Sequence, residues 1–121
     1  MFTVKVTDHI MIAHSLPDPF FGPAQNMHGA TYVAEISFMS TVLNDKNVVI
    51  DIGEASKITK DVLSELAYQN LDKLPQFAGI LTTTEFLAHY IHGKIKPKID
   101  SNIRLKVDLL ESHIASASFE G

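Results

Sequence analysis

The chain has 121 residues, of which 45% are hydrophobic and 20% charged, as in an ordinary single globular domain. Its formal net charge of −4 and its scattered Lys and Arg residues exclude a general attraction to nucleic acid. The absence of cysteine excludes disulfides, thiolate metal ligands and a cysteine nucleophile.

The first element is predicted to be a strand. Phe2, Val4 and Val6 alternate with polar residues, which is the pattern of a strand with one buried face. The same segment carries charge and lacks the apolar run of a signal peptide or a membrane span. We therefore expect a cytoplasmic protein that has no membrane partner.

A loop and a second strand follow. Residues 16–23 include three prolines and a glycine, which predict a loop that can border a site. The run 31–42 has the composition of a strand, and residues 44–47 predict a turn before the short apolar segment 48–50. Together these segments predict a long hairpin.

Two helices are predicted in the middle of the chain. Apolar residues recur at helical spacing over residues 58–66, with lysine and glutamate between them, which indicates an amphipathic helix. Thr82 and Glu85 have the spacing of an N-terminal capping box. A second helix is therefore expected to start there and to end near Gly93.

Two strands complete the chain. Residues 103–109 alternate between apolar and charged side chains, and residues 114–120 are predicted to form the last strand. The order β-β-α-α-β-β, without a linker or an internal repeat, predicts one α+β domain over residues 1–121. Its antiparallel sheet is expected to be covered on one face by the two helices.

Two histidines are candidate metal ligands. His14 follows an apolar strand end and His28 follows the proline-rich loop, so neighbouring strands can bring both imidazoles to one divalent metal. Catalytic zinc generally takes three protein ligands, and a structural or surface role is the alternative for this pair. His89 and His92 share a helix face by their spacing, but they also lack a third partner, and a solvated helix surface is expected there.

Glu111 is a candidate ligand-binding residue because it ends an otherwise apolar strand. A carboxylate there can accept two parallel N–H bonds from the planar edge of a pterin or guanine, although a solvated charge is the alternative. His113, two residues later, is predicted to face the same side. The helix start at residues 82–85 also has free backbone N–H groups that can bind a carbonyl or phosphate oxygen.

The chain resembles the 6-pyruvoyltetrahydropterin synthase and 6-carboxytetrahydropterin synthase (QueD) family over almost its whole length. Five segments match motifs of that family in the same order: Ile12-Ala-His14, His28-Gly29, Val49-Ile-Asp51, Thr83-Thr-Glu85 and Leu110-Glu-Ser112. The resemblance implies a tunnelling fold and a homo-oligomer, a trimer or a hexamer, whose pockets lie between subunits. Unpaired sheet edges would favour such an assembly, since they invite pairing with another copy.

The same resemblance implies roles for individual residues. His14 and His28 correspond to zinc ligands of the family, and His113, followed by His9, is the candidate for a substitute third ligand. The implied pterin-binding residues are Thr83, Thr84, Glu85 and Glu111.

The chain departs from the family at the catalytic positions. Ala30 stands in place of the third zinc histidine, Ala24 in place of the catalytic cysteine, and Ala67 and Tyr68 in place of an Asp-His pair that transfers protons. Because a general acid or base contributes about 10²–10⁴-fold, the standard reaction is expected to be altered or lost. Any zinc is expected to bind weakly or incompletely. Candidate substitutes for the catalytic residues are Tyr68, Asp72 and His113.

Three functions remain open. The first is a carbon–oxygen lyase that acts on 7,8-dihydroneopterin triphosphate or a related dihydropterin, and the second is a catalytically inactive protein that binds a pterin or a purine. The third is a subunit that only completes an oligomer. Glu111 and the helix start argue against the third function, while the sequence does not decide between the first two.

Overall fold

The computed structural model describes all residues from Met1 to Gly121 and contains one antiparallel sheet with two helices packed against it. The elements are β1 (Phe2–His14), β2 (His28–Ser40), α1 (Ile52–Ser64), α2 (Thr84–Ile95), β3 (Arg104–Ser112) and β4 (Ala115–Glu120). The strands lie in the sheet in the order of the sequence, so each pairs with the next one along the chain. The predicted element order and the α+β class are confirmed.

The core lies between the helices and one face of the sheet. Alternate side chains of each strand point to that face, as the period-two pattern predicted. The most deeply buried of them are Ile10, Ile12, Tyr32, Ala34, Ile36, Phe38, Leu105, Val107 and Leu109. The opposite face carries polar and charged side chains, including the cross-strand pair Lys5 and Glu35, whose charged atoms are 3.9 Å apart.

The predicted hairpin is formed by β1 and β2 alone. The predicted turn at residues 44–47 is present, since the Asn44 amide donates to the Val48 carbonyl at 3.0 Å. Residues 48–50 form no strand, and Val49 and Ile50 are instead buried in the core as irregular chain. Their apolar character therefore reflects packing and not sheet pairing.

Helix α1 begins earlier than the apolar repeat alone indicated. The Asp51 carboxylate caps it by accepting a hydrogen bond from the Glu54 amide at 2.9 Å. Ala55, Val62 and Leu63 then face the core at helical spacing. The helix ends at Ser64.

Helix α2 is capped one residue later than expected. The Thr83 hydroxyl, and not that of Thr82, accepts the capping hydrogen bond from the Phe86 amide at 3.2 Å. The helix also continues through Gly93 to Ile95, so the expected end was two residues short. No helix of the chain combines the length and the apolar character that crossing a membrane requires.

The prediction of a solvated surface at His89 and His92 was wrong for His92. That side chain is only 7% exposed, and its ring lies edge-on against Phe119 of β4 with 4.7 Å between the centroids. His89 is exposed at the surface, although its ring also contacts Phe119. The two histidines therefore lie at the contact between α2 and the last strand.

The segment after α1 lies along the outer edge of β1. The Tyr68 amide donates to the Met11 carbonyl at 2.6 Å, and the Ala13 amide donates to the Gln69 carbonyl at 3.0 Å. Tyr68 adopts a φ of 61°, a left-handed conformation that is uncommon for a bulky residue. These contacts fix residues 68–70 beside the last residues of β1.

Candidate functional site

A cavity of about 270 Å³ lies where the end of β1, the start of β2, the first turn of α2 and the end of β3 meet. Its lining residues are His14, Leu16, Phe21, Ala24, His28, Tyr32, Thr83, Thr84, Glu85 and Glu111. Both candidate metal ligands and all four implied pterin-binding residues are among them. The proline-rich segment also borders the cavity, as predicted, although residues Pro19–Gln25 form 3-10 helical turns and not an irregular loop.

The two histidines of the cavity are brought together by the β1–β2 hairpin. His14 pairs directly with His28 in the strand register, and their ring centroids are 4.6 Å apart. His14 is 3% exposed, and its Nδ1 lies 3.0 Å from the Thr82 hydroxyl. Burial lowers the pKa of His14, and the neighbouring His28 lowers it further. The interaction with Thr82 was not predicted, because the sequence pattern had suggested a capping role for that residue.

His28 is oriented by a backbone carbonyl. Its Nδ1 lies 2.8 Å from the carbonyl oxygen of Asn26. Because a carbonyl oxygen only accepts, Nδ1 must carry the proton and donate, which leaves the lone pair of a neutral ring on Nε2. The Nε2 atom is therefore the one that can accept a proton or bind a metal.

The donor set is too small for a catalytic zinc of the family type. Ala30 follows His28 by two residues on the same face of β2, but it offers only a methyl group. His113 lies in the exposed turn between β3 and β4, outside the cavity lining, and His9 is exposed on β1. No three His, Asp or Glu side chains are close enough to hold a metal together. Two imidazoles are fewer than the three protein ligands that catalytic zinc generally takes.

Tyr32 is a site residue that the sequence reasoning missed. Its side chain is 1% exposed, and it lines the cavity beside Thr84. Burial raises the pKa of the Tyr32 hydroxyl, a hydrogen bond with Thr84 opposes that shift, and the Glu111 and Glu85 carboxylates raise the pKa further. The sequence pattern could have identified Tyr32, because it follows His28 by four residues and alternation places both side chains on one face of β2.

Glu85 and Glu111 form an acidic edge of the cavity. Glu85 lies in the first turn of α2 and Glu111 near the end of β3, and both side chains are exposed. The two carboxylates also border a second, open cavity of about 380 Å³. Its other walls are Thr84 and the small residues 115–118 of β4.

None of the three candidate catalytic residues lines the cavity. Tyr68 is 83% exposed on the far side of β1, and His113 lies in the turn described above. Asp72 accepts hydrogen bonds from the Ser15 amide, at 3.1 and 3.2 Å, and from the Ser15 hydroxyl. Asp72 therefore fixes the chain immediately after His14, which is a structural role.

Comparisons with known proteins agree with the geometry. A sequence model of the family described as 6-pyruvoyl tetrahydropterin synthase matches residues 3–121. The 6-pyruvoyl tetrahydrobiopterin synthase of Dictyostelium discoideum is 33% identical over 94 residues, which cover 76% of this chain and 69% of that protein.

Solved structures match the same fold. The 6-pyruvoyl tetrahydropterin synthase of Caenorhabditis elegans superposes with a TM-score of 0.85 at 24% identity, over 99% of this chain and 95% of that one. The Plasmodium falciparum protein of the same name gives a TM-score of 0.78 at 16% identity, over 98% of each chain. The predicted tunnelling fold is confirmed.

Proposed function

The chain belongs to the 6-pyruvoyl tetrahydropterin synthase family, and from that premise we propose that it binds the ring of a dihydropterin in the cavity at Glu111. One observation carries the proposal: Glu111 from the end of β3 and Thr83–Glu85 from the start of α2 border the same cavity. The Glu111 carboxylate would accept two parallel N–H bonds from the ring edge. The free amides of the first turn of α2 would donate to the ring carbonyl.

Family membership supports a lyase-like reaction, in which a carbon–oxygen bond of the pterin side chain is broken. We place the side chain at the histidine end of the cavity, opposite Glu111. The free Nε2 of His28 is then the atom that accepts a proton from the side chain. His14 and its bond to Thr82 would hold the facing imidazole in place.

A second function, ligand binding without turnover, is favoured by two alanines. Ala24 lines the cavity but carries no group that can transfer a proton, and Ala30 provides no third metal ligand. Each missing general acid or base lowers a rate by about 10²–10⁴-fold. Binding of the ring would survive these losses, because Glu111 and the start of α2 are retained.

We also propose that the protein is a homo-oligomer, either a trimer or a hexamer. The sheet order leaves one edge of β4 unpaired, and the outer edge of β1 is unpaired along its first residues. Unpaired edges of this kind favour pairing with a second copy. The exposed carboxylates of Glu85 and Glu111 would then lie close to a neighbouring subunit.

Calorimetric titration of the purified protein with 7,8-dihydroneopterin tests the proposal. Binding that weakens in Glu111→Gln supports ring recognition at this cavity, whereas the absence of binding overturns it. Release of triphosphate from 7,8-dihydroneopterin triphosphate would then establish the lyase. Ring binding without release would leave the binding function.

A further inference from the structure

Tyr32 is a core residue that also borders the cavity at Glu111. It lies on β2 between Ala30 and Ala34, which point to the same face of the sheet, and it is 1% exposed. Phenylalanine would fill the same volume, so packing does not require the hydroxyl group. A buried tyrosine hydroxyl usually has a hydrogen-bond partner. Because Tyr32 lines the cavity, a ligand bound there can be that partner.

The neighbours of Tyr32 come from β3 and α2 of the same chain. Leu110 of β3 pairs with Val33 of β2. The next residue of β3 is Glu111 and the preceding residue of β2 is Tyr32, so antiparallel pairing makes these two neighbours as well. Thr84, in the first turn of α2, lies beside Tyr32 and lines the same cavity. These positions are set within one chain, so they do not depend on the walls that a neighbouring subunit adds.

The hydroxyl of Tyr32 keeps its proton at neutral pH. Burial raises the pKa of Tyr32; the nearby Thr84 side chain opposes that shift, and the Glu111 and Glu85 carboxylates raise the pKa further. A protonated hydroxyl can donate a hydrogen bond, whereas an ionised carboxylate only accepts. Tyr32 therefore adds a donor beside the acceptor Glu111.

The edge of a dihydropterin ring has groups that match this order of donors and acceptors. Its amino group and the adjacent ring N–H donate, and the ring carbonyl comes next. The imine nitrogen N5, an acceptor, lies beside the carbonyl and is bonded to the carbon that carries the side chain. With the two N–H groups at Glu111 and the carbonyl at the amides of α2, N5 is the next acceptor along the ring towards His28. Tyr32 lies between Glu111 and His28, which precedes it by four residues on the same face of β2.

We propose that Tyr32 contacts the ligand and that its hydroxyl donates a hydrogen bond to N5 of the dihydropterin ring. The proposal rests on the proposed function, since it assumes that Glu111 binds the ring. The bond fixes the ring in one orientation, in which the carbon that carries the side chain is turned towards His28. Tyr32 is thus a positioning residue for the group from which His28 accepts a proton.

Calorimetry on the full chain with two matched ligands tests the proposal. The ligands are 7,8-dihydroneopterin and its 5-deaza analogue, in which a C–H group replaces N5. We expect Tyr32→Phe to weaken binding of 7,8-dihydroneopterin about three- to tenfold, the usual effect of one hydrogen bond without a charged partner. The analogue should bind the parent more weakly by a similar factor, and Tyr32→Phe should not weaken its binding further. A purely structural role of the hydroxyl would lower the affinity for both ligands alike.

Tyr90→Phe is the matched control. It removes the same hydroxyl group from a tyrosine of α2 whose ring packs edge-on against Phe77, outside the cavity lining. Both affinities should remain unchanged in this variant. Urea unfolding of Tyr32→Phe checks that the variant is folded, and the comparison of the two ligands on the parent does not depend on any variant.

The outcomes distinguish this proposal from the proposed function. Equal affinity of the parent and Tyr32→Phe for 7,8-dihydroneopterin would overturn the proposal, while ring recognition at Glu111 would stand. An equal loss for the 5-deaza analogue would overturn it as well, because the hydroxyl would then not act through N5. If neither ligand binds the parent, the proposed function fails, and the proposal fails with it.

Discussion

His14 and His28 are direct cross-strand partners, and their imidazole centroids lie 4.6 Å apart in the β1–β2 hairpin. The next residue on the same face of β2 is Ala30, so a pair of imidazoles is present where three would be needed for a catalytic zinc. The hairpin itself is regular at this point. A single side chain therefore separates the site from a three-histidine arrangement.

We expect Ala30→His to bind zinc stoichiometrically, whereas the parent, with two imidazoles, is expected to bind zinc weakly or incompletely. The new imidazole would project from β2 to the same side as His28 and supply the third ligand. Zinc content after dialysis against a mild chelator measures the change. Thr31→His is the matched control, because its side chain points to the opposite face of the sheet. Stoichiometric zinc in the parent protein and in His14→Ala would contradict this interpretation.

Glu111→Gln should weaken binding of 7,8-dihydroneopterin. A hydrogen bond to a charged group contributes about 1.5–3 kcal/mol, and the exposed position of Glu111 favours the lower end of that range. An affinity loss of about ten- to thirtyfold is therefore expected in calorimetry. Glu65→Gln, the same change away from the cavity, serves as the control. Equal affinity in the parent and Glu111→Gln would remove Glu111 from the site.

Asp72→Ala should lower the stability of the fold, because Asp72 has a structural role and not a catalytic one. The carboxylate accepts three hydrogen bonds from Ser15, and their loss should cost about 1–2 kcal/mol at this exposed position. Urea unfolding measures the loss, with Asp45→Ala in the exposed turn after β2 as the control. Unchanged stability together with abolished turnover would instead return Asp72 to the list of catalytic candidates.

The buried imidazole of His92 should make the fold sensitive to acid. Burial lowers the pKa of His92 below 6.5; nearby Lys96 and His89 lower it further, while the nearby backbone groups of Gly121 and Leu105 oppose the shift. The Nε2 atom of His92 is buried without a hydrogen-bond partner. The folded protein therefore favours the neutral form of this ring, at the contact with Phe119.

The sign of the effect follows from proton binding. Below pH 6.5 the unfolded chain binds a proton at this position more readily than the folded protein, so stability is complete above that pH and is lost as the pH falls below it. The dependence of stability on pH is measured from urea unfolding midpoints between about pH 7.5 and about pH 5, a range that spans the usual pKa of histidine. His92→Leu should flatten the slope, whereas the same change at exposed His9 should not. An unchanged slope in His92→Leu would refute the prediction.

A substitution at the unpaired outer edge of β4 tests whether the protein forms a homo-oligomer. Leu105 and Gly121 exchange both backbone hydrogen bonds, so the alternation of an antiparallel pair turns the Ser118 amide away from β3. Ser118→Pro would remove a donor from the free edge and leave the β3–β4 pairing intact. We expect light scattering to show a trimer or hexamer for the parent and smaller species for this variant. Ser118→Ala is the control, and a monomeric parent at micromolar concentration would contradict the prediction.

Much of the fold could be predicted because alternation and helical spacing are local signals. Phe2, Val4 and Val6 define the start of β1, and residues 103–109 define β3 equally clearly. The start of α1 depended on the Asp51 cap, which the apolar repeat does not reveal. The segment 48–50 was misassigned because a short apolar run packs into a core as readily as into a sheet.

The site could be predicted only in part. The motif residues converge as expected, but spacing along the chain cannot reveal contacts made across 57 or 68 positions. Two hydrogen bonds are of this kind, one between Ser15 and Asp72 and one between His14 and Thr82. The role of Tyr32 could have been predicted from the alternation of side chains along β2. The burial of His92 could not have been predicted, because it depends on the position of β4 against α2.

Residues 68–70 occupy the edge of β1 opposite Met11 and Ala13, and they do so through backbone hydrogen bonds. A strand from another copy that adds along this edge can align with residues 2–10, but it must end where residues 68–70 begin. The segment would therefore limit how far along β1 a neighbouring strand can pair. If two copies pair along this edge, the exposed side chain of Tyr68 would lie where the added strand ends.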